Sequence, residues 1–320
     1  METFEAESNL DDAKCNDAIL TSRVTKYYGR RPVVRDVDLK VPRGCVYGLL
    51  GRNGAGKSTL LKMLMGFVQP DYGEIRLLGE DLPRLSSEIR SRIAYLAEGH
   101  PLYTRMSIGQ IIDFTKAFYR HWDDALVDEV LDHFQLSRKQ RVGSLSKGQR
   151  AQVSLTLALA PDPELLVLDD PTLGLDTGVR RDFLESMIQL IQRRGRSILF
   201  SSHILGDVER VADRVGVMVD GVLRADCPTD EFKAAVRKVI VEFDDPQPES
   251  LKIPGLISDE PDGARRELVF VGFGDEQQAA LERLQPRSIE VLELNLEDAF
   301  IEYTRRPRRA SALVREERAT

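Results

Sequence analysis

Nine residues constrain this chain more than any other feature. Gly51-Arg52-Asn53-Gly54-Ala55-Gly56-Lys57-Ser58-Thr59 fits the pattern G-x-x-x-x-G-K-[ST]. An apolar run, Gly44–Leu50, precedes it. Helical spacing follows over Ser58–Gly66, where Leu60, Leu61, Leu64 and Met65 fall on neighbouring turns. A buried strand, a glycine loop and a helix in that order form a cradle for phosphate. The glycines let backbone N–H groups turn inward, and a Cβ at Gly56 would obstruct close approach. The helix N-terminus adds partial positive charge. In such a loop Lys57 reaches the β- and γ-phosphates, and the Ser58 hydroxyl ligates Mg²⁺.

A second strand carries the complementary charge. Leu165-Leu166-Val167-Leu168 is apolar and ends in Asp169-Asp170, at the end of the strand where ligands of open α/β sheets sit. Asp169 is suited to hold Mg²⁺ and Asp170 to polarise an attacking water. Strand–helix alternation predicts a mostly parallel sheet covered on both faces.

The 320 residues leave room for roughly two domains. An acidic tail is expected over 1–18 and a first domain over 19–228, with a largely helical subdomain at about 85–150 (helices Ile108–Tyr119 and Asp124–Phe134). A smaller α/β domain follows over 229–304, and a basic tail over 305–320. Strands are expected at Ile19–Tyr27, Val33–Val41, Ser197–Ser201, Val236–Phe243, Arg266–Phe273 and Ser288–Leu294. Helices are expected from near Ser146, over Gly178–Arg193 and over Asp275–Leu284. Forty-five Lys and Arg against 52 Asp and Glu give net −7. That balance argues against nucleic acid held by bulk positive charge, although a local basic patch stays open. Cys15, Cys45 and Cys227 lie far apart without metal spacing, so a reducing compartment is expected. No apolar run approaches the ~20 residues of a membrane helix, and the acidic N-terminus lacks the core of a signal peptide.

Further motifs in fixed order resemble those of the nucleotide-binding subunits of ATP-binding cassette (ABC) transporters. Leu145-Ser146-Lys147-Gly148-Gln149, about 20 residues ahead of Asp169, resembles the family signature LSGGQ. Gly174-Leu175-Asp176 resembles the D-loop, and Ser201-Ser202-His203 the switch histidine. Tyr28 matches the aromatic that stacks on adenine, and Ile93–Glu98 the segment ending in the Q-loop glutamine. The resemblance spans about residues 19–228. It implies a P-loop NTPase core with a helical subdomain and an ATPase that uses ATP and Mg²⁺. It also implies a homodimer in which each ATP lies between one chain's Lys57 loop and the other's Ser146 loop. His203 would then sense the γ-phosphate, Asp176 would lie at the dimer seam, and a separate polytopic membrane subunit would be driven to export from the cytoplasmic face.

Three positions depart from the family pattern. Asp170 stands where a glutamate is usual and is one methylene shorter; hydrolysis is expected, slow unless the backbone adjusts. Its setting, Asp-Asp-Pro-Thr-Leu-Gly-Leu-Asp, resembles one found in some bacterial export-type members. Glu98 stands at the Q-loop position; it can ligate Mg²⁺, with Gly99, His100 and Pro101 leaving the register open by one residue. Lys147 replaces a signature glycine, either as a cation beside γ-phosphate or as a solvated side chain. His100, His121 and His133 are read as structural. The aromatic run Phe118–Trp122 is either a docking surface or core, and the 305–320 tail either meets anionic lipid or is solvated. Two other readings stay open: a nucleotide-gated regulatory protein with weak turnover, and a soluble ABC ATPase acting on nucleic acid or ribosomes.

Overall fold

The computed structural model describes residues 17–192, 195–244 and 251–304. The expected tails lie almost wholly outside them. One correction falls at the boundary: Asp17 and Ala18 are buried and begin strand β1 (Asp17–Tyr28) rather than ending a loose tail.

The described chain divides into two compact units, one ending at Leu223 and one starting at Arg224. Two sheets build the first. The antiparallel one runs β2 (Arg31–Val37), β1, β5 (Tyr72–Leu77), β6 (Glu80–Asp81), with β3 (Lys40–Pro42) also paired to β1. The expected single strand Val33–Val41 is thus split. Asp36, next to the end of β2, takes φ 43°, and Asp38, between the two pieces, accepts from the Arg23 N–H. The sequence reading did not foresee this sheet, because its strands alternate weakly and are half exposed.

The parallel sheet was expected. Its order is β10 (Arg214–Val219), β4 (Val46–Leu50), β9 (Ser197–Ser202), β8 (Leu165–Asp169), β7 (Ile93–Leu96), with β11 (Val222–Pro228) on the β10 edge. Every residue of β4, β8 and β9 is buried, as strands covered on both faces require. Register sets Leu49 beside Ser201 and Asp169 beside Ser201, so three strand ends meet at one edge. The helices are α1 (Lys57–Leu64), α2 (Ser87–Ser91), α3 (Ile108–Lys116), α4 (Asp124–His133), α5 (Lys147–Leu159), α6 (Thr177–Gln192) and α7 (Leu205–Val211). A Cβ on Gly48 would come within 2.4 Å of Val208, so glycine lets α7 lie on β4.

Between β7 and β8, helices α3, α4 and α5 bury Ile108, Ile111, Ile112, Val127, Leu131 and Val153 in a core of their own. Each such side chain contributes about 1.5–3 kcal/mol. The aromatic run divides: Trp122 packs on this core, whereas Phe118 is 72% exposed beside Phe114. Among the described residues no helix is long and apolar enough to cross a membrane.

The second unit holds an antiparallel sheet in the order β13 (Leu256–Asp262), β14 (Arg265–Val271), β12 (Val236–Glu242), β15 (Ser288–Glu293). Its helices are α8 (Thr229–Ala235), α9 (Asp275–Glu282) and α10 (Leu296–Thr304). Val239, Val241, Leu268, Phe270 and Leu281 form its core. Buried Arg266 is satisfied by two hydrogen bonds, 2.9 and 2.7 Å, to Asp259.

Candidate functional site

The glycine loop leaves β4 and enters α1, and its glycines answer different constraints. A Cβ on Gly51 would lie 2.7 Å from the Met218 carbonyl, and one on Gly56 2.6 Å from the Val33 carbonyl. Gly56 also holds φ 103°. The obstruction expected at Gly56 therefore arises first from the neighbouring backbone. Gly54, at φ 83°, faces open space. Arg52 and Asn53 are exposed, Ala55 is buried and Thr59 half-buried. Helix α1 begins at Gly56 with no side-chain cap and no acid in its first turn. Its terminal N–H groups are thus open to an anion.

Lys57 is buried, and its ammonium donates to the Gly51 carbonyl at 2.6 Å. Burial pushes its pKa down, and Asp170, Asp169 and Glu98 oppose that shift. The loop is closed on its own cation. The Ser58 hydroxyl donates to Asp169 Oδ1 at 3.0 Å, and Ser201 donates to the same oxygen at 2.9 Å. Tyr95, on β7, donates to Asp169 Oδ2 at 3.4 Å, and burial raises its phenol pKa strongly.

Asp170 follows with φ 45°, a conformation Asp tolerates better than most residues. Its backbone N–H donates to Ser201 Oγ at 3.0 Å. Oδ2 meets His203 Nδ1 at 2.5 Å, while Oδ1 is buried without a hydrogen-bond partner. Burial raises the Asp170 pKa; His203 and Lys57 pull it back, and Asp169 adds to the rise. Two acids and an ammonium thus occupy one small, partly desolvated space, and one carboxylate oxygen waits for a donor.

Glu98 is exposed on the turn after β7, close enough to be felt by Lys57 and Tyr95. Among the described residues no group of three or more His, Cys, Asp and Glu side chains could hold a metal alone. Ser58 and Asp169 still fit Mg²⁺, a hard ion commonly held by one or two carboxylates together with substrate phosphates.

The other assigned residues form a second cluster. Ser146 caps α5: its Oγ accepts from the Gln149 N–H at 3.2 Å, and Gln149 Oε1 accepts from the Ser146 N–H at 3.0 Å. Ser146 and Lys147 are exposed. A Cβ on Gly148 would come within 2.5 Å of Val179, so glycine is needed for α5 to rest on α6. The Lys147 ammonium lies over Gly174, 3.5 Å from where a Cβ there would be. Exposed Asp176 accepts from the Val179 N–H at 3.1 Å and opens α6. Tyr28, 53% exposed at the end of β1, has the Lys26 ammonium 6.0 Å from its ring centroid.

Lys57, Ser58, Asp169, Asp170 and His203 are therefore brought together. Tyr28, Ser146, Lys147 and Asp176 are exposed and Gln149 is half-buried, apart from that cluster. Sequence reasoning missed Ser201 and Tyr95 as partners of Asp169; His100, read as structural, is buried beside the Asp170 turn. Ser201 lies on a strand legible in the sequence, but the register that sets it beside Asp169 comes only with the parallel pairing.

Comparison with known proteins places these features in context. A family model described as ABC transporter matches residues 34–173. The chain is 35% identical over 225 residues to the bacitracin transport ATP-binding protein BcrA of Bacillus licheniformis, covering 69% of this chain and 73% of that protein. It is 32% identical over 301 residues to the Nod factor export ATP-binding protein I of Paraburkholderia xenovorans (strain LB400), covering 90% and 97%. A solved structure of an ATP binding subunit of an ABC transporter matches with TM-score 0.60 and 28% identity, covering 68% of this chain and 92% of that one.

Proposed function

The chain belongs to the ATP-binding subunits of ABC transporters, and from that premise we propose that it hydrolyses Mg-ATP to drive export through a separate membrane subunit. One observation carries the reading. Lys57, Ser58 and Asp169 converge at the ends of β4 and β8, beside a carboxylate with an unpartnered oxygen.

Each residue then has a task. The N–H groups opening α1 and the Lys57 ammonium bind the phosphates. Lys57 must first leave the Gly51 carbonyl, exchanging one charge-assisted hydrogen bond for another. Ser58 and Asp169 would hold magnesium, which when bound neutralises phosphate charge. Asp170 Oδ1 accepts a hydrogen bond from the attacking water, and His203 steadies the carboxylate through Oδ2. Tyr28 offers a ring for adenine to stack on. Most of the rate enhancement comes from positioning and charge stabilisation.

Ser146 completes the site from a second copy. Its oxygen accepts from Gln149 as a cap, which leaves its proton free to donate to a γ-phosphate. Two chains would thus close around two nucleotides, with Asp176 at the seam. The name of the Nod factor relative supports export as the direction, and that of the bacitracin relative supports transport. Attachment to the inner face of the membrane follows through the partner.

ATP binding measured with magnesium and with chelator, beside steady-state ATPase, tests this reading. Magnesium-supported binding and hydrolysis are expected. A chain that binds no adenine nucleotide overturns it.

A further inference from the structure

His100 does more than fill space. Its ring is 5% exposed, and Nε2 lies 3.0 Å from the Pro171 carbonyl. A carbonyl only accepts, so Nε2 carries a proton, and since burial disfavours the cation Nδ1 is a bare lone pair. That Nδ1 is buried without a hydrogen-bond partner. A leucine or methionine would fill the same volume without leaving a polar atom unsatisfied. An imidazole here implies that the bond to Pro171 matters.

Pro171 follows Asp170 directly. A residue before proline is already restricted, and Asp170 additionally holds φ 45°. Such a conformation persists only where its surroundings over-determine it. Ser201 Oγ holds the Asp170 N–H from one side. The proline ring fixes the next φ. His100 then holds the carbonyl at the far end of Pro171, so the Asp170 backbone is clamped at both ends.

The His100 end of the clamp belongs to the Glu98 turn. The His100 N–H donates to the Ala97 carbonyl at 3.3 Å, and Gly99 and His100 take φ 75° and 51°. A shift of that turn therefore reaches Asp170 through one hydrogen bond.

We propose that His100 is a positioning residue for Asp170, its Nε2–H fixing the Pro171 carbonyl and thereby the reach of the carboxylate. This rests on the reading of Asp170 as the group that orients water. Misplacement by about 1 Å can cost about 10²-fold, so a short carboxylate such as Asp has most need of a fixed backbone.

The test uses the full chain and compares His100→Leu, His100→Gln, Asp170→Asn and the Asp170→Asn/His100→Leu double variant. His100→Leu is expected to lower kcat by about 10–100-fold with KM for Mg-ATP shifted less than about threefold. His100→Gln, which keeps an N–H at similar reach, should recover kcat to within about threefold of the parent. In the Asp170→Asn background, His100→Leu should change neither the residual single-turnover rate nor the ATP affinity measured by equilibrium binding. Unchanged kcat in His100→Leu overturns the proposal, as does failure of glutamine to rescue or a loss of affinity matching the loss of turnover. Undiminished turnover in Asp170→Asn instead removes the reading beneath it, so the two failures are distinguishable.

Discussion

The two helix N-termini that carry the site are built in opposite ways. Helix α1 starts at a glycine with no side-chain cap and has a buried lysine at its first position. Helix α5 starts at an exposed serine whose capping box with Gln149 is complete. Around α1 the side chains cross-link: Ser58 and Ser201 share one oxygen of Asp169, and His203 holds Asp170. Around α5 and the start of α6 the capping side chains Ser146, Gln149 and Asp176 bond to their own turns. On the proposed reading, one end is assembled for a ligand within the chain, and the other is a finished surface offered to a neighbour's ligand.

The sharpest way to break this contrast lies at Asp170. Asp170→Asn should lower turnover by about 10²–10⁴-fold, the range for removing a general base, and leave ATP binding intact. Rapid-quench and binding measurements check it. Next in size, Lys57→Ala should weaken ATP binding about 30–100-fold, as loss of a charge-assisted contact predicts, which titration calorimetry would read.

At the other helix, function and stability should separate. Ser146→Asp keeps a capping oxygen, so the melting temperature should stay within about 1 °C, while its charge repels γ-phosphate and ATP-dependent dimers disappear. Ser146→Ala removes the cap and should cost about 1 kcal/mol, lowering the melting temperature by about 2–4 °C. The smallest effect concerns pH. Burial raises the Asp170 pKa, so the folded chain binds its proton more tightly than the unfolded chain. Stability contributed by that proton is present at low pH and falls as pH rises through the interval up to the raised value. At pH 7.5 Asp170→Asn should therefore melt slightly higher than the parent, by about 1–3 °C. The acid limb of kcat should also sit above the ordinary carboxylate range.

Much of this was legible in the sequence because local pattern and chemistry coincide. Gly56-Lys57-Ser58 after an apolar strand, and Asp169-Asp170 at the end of another, already mark the two strand ends that folding joins through Ser58 and Asp169. The antiparallel sheet was less legible, since β1 and β2 carry register shifts that blur their alternation. His100 is read as structural, and its contact with Pro171 could not be foreseen. Its partner is a carbonyl 71 residues away that only folding brings near. Nor does any sequence pattern say that the Lys57 ammonium donates to the Gly51 carbonyl.

The claim that one chain supplies the grip and another the closure is tested most directly by mass. Asp170→Asn, examined by sedimentation with and without Mg-ATP, should pass from 36.1 kDa to twice that value and hold two nucleotides per dimer. A saturated species that stays at monomer mass would contradict the account.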